Sequence, residues 1–180
     1  MKTYQKIIIG LGILLTSALL IWFIVDNQKP DHFNKIELTT PTHIYNLTKQ
    51  SYLDTIIGVA LEELKVYPNV VVIKDMYFAP PNIQIPGKEL LAFVYGEGGT
   101  YIIYVKSMSR VQSIGVLSHE LIHLRDMERG ELLAGKNLVI YKGVRYVGSQ
   151  IPEYDYRPWE MVAFKDSKDL EYKIKDILYE

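Results

Sequence analysis

The chain has 180 residues, 48% of them hydrophobic, with a formal net charge of −1 and no cysteine. That length suits one domain plus an appendage, and near-neutral charge supplies no basic face for nucleic acid. The missing cysteines exclude disulfides, thiol catalysis and thiolate metal ligands. Any metal must therefore be held by imidazole and carboxylate.

Ile7 to Val25 is a run of 19 residues without a charge. A helix of about 20 residues spans the hydrocarbon layer, and the bulky exit at Trp22 to Val25 is unlike a signal-peptide cleavage site. Residues 1–25 therefore read as an N-terminal transmembrane anchor. Lys2 and Lys6 flank its entry and Asp26 its exit. The excess of positive charge predicts a single-pass membrane protein with a cytoplasmic N-terminus and the rest outside the cytoplasm. Residues 26–44 are polar, hold Pro30 and Pro41, and read as a linker. Residues 45–180 form the predicted domain.

Within that domain, Ile44 to Val66 shows the apolar three-four spacing of a helix, ended by Pro68. Val70–Ile73 is a β-branched run and a predicted strand. Four prolines and glycines make 78–89 a loop. Leu90–Tyr95 and Thr100–Val105 flank Gly96-Glu97-Gly98-Gly99, a hairpin signal. A helical pattern runs from Ser109 or Arg110 to about Arg129, where Gly130 stops it. Leu138–Tyr141 and Val144–Val147 flank Lys142-Gly143 as a second hairpin. Pro158 opens a last helix that reaches about Tyr179. Helix, strands, helix, hairpin and helix in this order predict an α+β fold with a small antiparallel or mixed sheet, preceded by the one transmembrane helix.

The middle helix carries His119-Glu120-Leu121-Ile122-His123. Residues four apart share a helix face, so both imidazoles can bind one Zn²⁺. Glu120, beside the first of them, can take a proton from a metal-activated water as general base. This is the chemistry of the H-E-x-x-H pattern. On these five residues and the hairpin before them, the sequence resembles the zincin metallopeptidases. The resemblance implies that the substrate pairs as an extra strand with a strand beside the motif helix, for which Thr100–Val105 is the counterpart by position.

A zinc site of this class needs a third ligand and an open position. A metzincin would carry His six residues after His123, where this chain has Arg129. The gluzincin branch takes a Glu from further along the chain, and Glu128, Glu131, Glu153 and Glu160 are available. Glu160 is favoured: it lies in the first turn of the last helix, and Glu160 to Ala163 resembles the ligand helix of several gluzincins. Several gluzincins also place an Asp four residues after that Glu to orient a zinc histidine. Here the position is Phe164.

Tyr141, Tyr146, Tyr154 and Tyr156, with Arg145 and Arg157, are the available donors to a tetrahedral oxyanion. His32 and His43 read as surface residues, and the Asn46-Leu47-Thr48 sequon as chance. The functional expectation is a membrane-anchored zinc endopeptidase acting on peptide or protein substrates. The alternative is a catalytically silent zincin-fold binding module displayed at the membrane. An intramembrane protease is excluded, because Arg125, Asp126, Glu128 and Arg129 make the motif helix too polar for a span.

Overall fold

Strand β1 (His43–Asn46), helix α1 (Leu53–Leu64) and strand β2 (Val70–Asp75) open the fold of the computed structural model, which describes residues 41–80, 89–135 and 137–179. β1 and β2 are parallel, and α1 connects them. The helix expected from Ile44 therefore starts nine residues later than its spacing suggested. Asn46 is the reason: its side chain accepts from the Thr48 amide and donates to the Gln50 carbonyl, which turns the chain between strand and helix. The predicted domain boundary moves accordingly, since β1 lies across the end of the expected linker.

β3 (Ala92–Glu97) and β4 (Thr100–Val105) form the first expected hairpin. Its two loop residues, Gly98 and Gly99, have φ of 58° and 78°, the left-handed pair that a two-residue hairpin loop requires. β4 then pairs in parallel with β2, giving a four-stranded mixed sheet in the order β1-β2-β4-β3. One face of this sheet is the core. Val71, Ile73, Val94, Tyr101, Ile103 and Val105 point inward and are buried.

Helix α2 (Arg110–Glu128) starts at Ser109, whose hydroxyl accepts from the Gln112 amide while the Gln112 side chain accepts from the Ser109 amide. This capping box satisfies two of the helix's unpaired N–H groups. Ile114, Leu117, Leu121 and Leu124 are fully buried. Three short strands follow: β5 (Leu132–Gly135), β6 (Leu138–Tyr141) and β7 (Val144–Val147), an antiparallel sheet of its own. β5 was not anticipated. Helix α3 (Pro158–Tyr179) closes the chain, burying Ala163, Leu170, Ile174 and Leu178.

The observed architecture is α+β, with two small sheets and three helices. The expected transmembrane helix and the single-pass, extracytoplasmic placement built on it are corrected. Among the described residues no helix is long and apolar enough to cross a membrane. α3 is the longest, but Lys165, Asp166, Lys168, Asp169, Glu171 and Lys173 recur through it, and each charge at a bilayer centre costs about 3 kcal/mol. The segment Ile7–Val25, on which the expectation rested, lies outside the described residues. So does most of the expected linker.

Candidate metal centre

Three side chains meet where α2 and α3 pack together. His119 and His123 come from successive turns of α2, and Glu160 from the first turn of α3. His119 Nε2 lies 3.2 Å from His123 Nε2 and 3.2 Å from Glu160 Oε2, and His123 Nε2 lies 3.3 Å from the same carboxylate oxygen. The three atoms thus form a nearly equilateral triangle. A tetrahedral zinc ion with ligands at about 2.0–2.1 Å keeps those ligands about 3.3–3.4 Å apart. The donor set fits as well: two imidazole nitrogens and one carboxylate oxygen, a combination suited to zinc.

Two contacts bring Glu160 into place. Ala163, one turn along, is fully buried, and a Cβ on Gly115 of α2 would lie only 3.3 Å from the Glu171 carboxylate of α3. The small residues let the helices approach closely. Beside Glu160, Trp159 is buried among Leu132, Val139 and Tyr141 of the three-stranded sheet. Its ring packs edge-on against Tyr146 at 5.4 Å. The unanticipated β5 is therefore part of the seat for the helix that carries Glu160.

Electrostatics fit the same arrangement. Burial opposes the charged form of Glu160, but hydrogen bonds from His119, His123 and Tyr154 outweigh it and hold the carboxyl far below its usual range. Burial also opposes a charged His123, yet the Glu160 bond and the Glu120, Glu160 and Asp126 charges raise it. Glu120 behaves in the opposite way. Burial pushes its carboxyl up to about 7, against the pull of both histidines. Glu120 Oε2 accepts the Val94 amide of β3 at 3.1 Å, which fixes the carboxylate beside His119.

The other acids considered as ligands lie elsewhere. Glu128 is exposed and faces Tyr101, Glu131 is paired with Lys142 at 3.5 Å, and Glu153 is exposed. Of the possible oxyanion donors, Tyr154 reaches the site. It lines both cavities beside Glu120 and hydrogen-bonds to Glu160, and burial and that carboxylate raise its pKa. Tyr141 and Tyr146 pack against Trp159, Tyr156 is 71% exposed, and Arg145 is exposed. Arg157 donates to the Pro152 carbonyl and stacks on Tyr154 at 5.3 Å. His43 is exposed on β1, and His32 lies outside the described residues.

The strand beside the motif helix is also not the expected one. Thr100–Val105 is β4, paired on both sides, and cannot accept a further strand. β3 is the edge. Val94 lies opposite Ile103 but turns its N–H to Glu120, away from β4. By antiparallel alternation, Ala92 and Gly96 present their backbone groups to the same free edge. Phe164 stands where an orienting Asp was sought; its ring packs on His119 at 4.5 Å. The Val94 amide was missed because no side-chain pattern announces it.

Comparison of the chain with protein-family models, with curated proteins and with solved structures gives no match.

Proposed function

We propose that this protein is a zinc-dependent metallopeptidase that hydrolyses peptide bonds. The convergence of His119, His123 and Glu160 on one point, with Glu120 adjacent, is the observation that supports this reading. Bound there, Zn²⁺ supplies a water of lowered pKa and polarises the scissile carbonyl. Glu120 accepts the proton of the attacking water and passes it to the leaving amine. Its raised pKa suits both roles, because a base that must also act as acid works best with a pKa near the working pH. The Tyr154 hydroxyl, which faces Glu160 in the free site, turns its one proton to the developing oxyanion.

The free edge of β3 is the seat for the substrate backbone. Two cavities follow it. The first, of about 350 Å³, lies by Leu91, Ala92, Val116 and Phe164. The second, of about 410 Å³, lies further along β3, by Val94, Met127, Leu132 and Trp159. A peptide pairing antiparallel to β3, the straighter hydrogen-bond geometry, runs from the second cavity to the first. The first then receives the side chain after the scissile bond, and its lining suits an apolar residue.

Elemental analysis of the purified chain should find one zinc per molecule, and digestion of a peptide library should show cuts before apolar residues. Less than half an equivalent of zinc in gently prepared protein refutes the metal. Glu120→Gln should keep the zinc and lower turnover by about 10²–10⁴-fold, the usual contribution of a general base. Turnover at the unchanged rate removes Glu120 from the mechanism.

A further inference from the structure

His123 carries a second nitrogen that the metal triangle does not use. Its Nδ1 is buried and has no hydrogen-bond partner in the protein. Three other buried polar atoms in this part of the fold share that condition: His119 Nδ1, Asp126 Oδ2 and the Tyr141 hydroxyl. Asp126 is completely buried. Its other oxygen accepts Arg125 Nε at 2.8 Å, and the same guanidinium reaches Asp166 of α3 at 3.0 Å. The carboxylate is thus pinned on one side and unsatisfied on the other. A buried carboxylate oxygen without a donor is costly, so it calls for one.

Helix geometry names the donor. Asp126 follows His123 by three residues, and side chains three apart share a face and lean toward the helix N-terminus. The Asp126 carboxylate therefore lies over the turn that holds His123, and its charge acts on that imidazole. It also acts on the Tyr141 hydroxyl of β6. Lys142 sits against the Tyr141 ring at 5.3 Å, and its charge opposes that of Asp126 at the hydroxyl.

We infer that Asp126, with Tyr141, positions His123 for metal binding. The free Asp126 oxygen accepts the Nδ1–H of His123 through one bridging water that Tyr141 also contacts. With zinc bound, the proton is thereby held on Nδ1 and the Nε2 lone pair is left for the metal. Metal-bound histidines ordinarily have such a partner, and a carboxylate raises their basicity as ligands. The two histidines are then held differently: His119 by the Phe164 ring and His123 by a buried charge. The inference rests on the zinc reading but is testable apart from it.

The experiment is a zinc-affinity measurement on the full chain, by competition with a chromophoric chelator. Asp126→Ala should weaken binding by about 10–100-fold, and Tyr141→Phe should weaken it less. A loss below fivefold in folded Asp126→Ala protein overturns the inference while leaving the zinc reading intact. Failure of the wild type to bind zinc removes the zinc reading instead. If Asp126→Ala does not fold, the wild type decides. In zinc-loaded protein the His123 Nδ1–H should give a slowly exchanging proton resonance, and rapid exchange of that proton overturns the inference. An Asp126 that served stability alone would lower the melting temperature but leave this resonance and the affinity of the folded fraction unchanged.

Discussion

The four-stranded sheet buries a full face of Val71, Ile73, Val94, Tyr101, Ile103 and Val105, whereas the three-stranded sheet buries little beyond Leu132, Val139 and Tyr141. The first contributes the core and, through the Val94 amide, the setting of Glu120. The second contributes almost no core of its own. Its buried side chains close around Trp159, next to Glu160. One sheet thus carries stability and the other carries the placement of Glu160, and the two duties can be separated by mutation.

The largest effects should come from a matched pair. Trp159→Ala should cost about 3–5 kcal/mol and Ile103→Ala about 2–5 kcal/mol in denaturant unfolding, as large-to-small core changes do. Their zinc affinities should differ more than their stabilities. Trp159→Ala loosens the start of α3 and should weaken zinc at least tenfold, while folded Ile103→Ala should bind within threefold of wild type. Equal losses of affinity would break the division of labour.

A smaller effect concerns Glu120 in metal-free protein. Its carboxyl rises from the ordinary 4.5 to about 7 on folding because of burial. Between those values the folded chain holds a proton that the unfolded chain has lost, so stability falls as pH rises through that window. Glu120→Gln has no such ionisation. It should be more stable than wild type by about 3 kcal/mol at pH 8 and equal to it near pH 4. A constant difference across that range would show that burial does not govern the group.

The smallest effect tests the helix both sheets lean on. Ser109→Ala removes the α2 cap and should cost about 1 kcal/mol. Zinc affinity should be unchanged, because His119 begins its turn well inside the helix. A matching loss of affinity would mean that α2 frays as far as the motif.

Local signals explain what was legible in the sequence. The apolar period of α2, the Lys142-Gly143 turn and Pro158 at the head of α3 each act within a few residues, and those elements fall where their patterns indicate. The facing pair His119 and His123 follows from helix geometry alone. What failed depended on distant partners. β3 and β4 are both apolar runs, and only the pairing of β4 with β2 decides which of them is the edge. β5 has one buried residue in four, so it shows no alternation to detect. The four tyrosines before Glu160 are equivalent as sequence, and tertiary placement alone selects Tyr154. Asp126 did carry a signal, a carboxylate one turn beyond the second histidine of the motif.

His123 and Glu160 are 37 residues apart in the chain, and the whole three-stranded sheet lies between them. An ion shared by these side chains is therefore a cross-link as well as a reagent. Closing a loop of that length restricts the unfolded chain by about 4 kcal/mol on the chain-entropy account used for disulfides. In a chain without cysteine, the proposed metal would be the staple of the region with the thinnest core, so the atoms that activate water would also hold the sheet beside them in place.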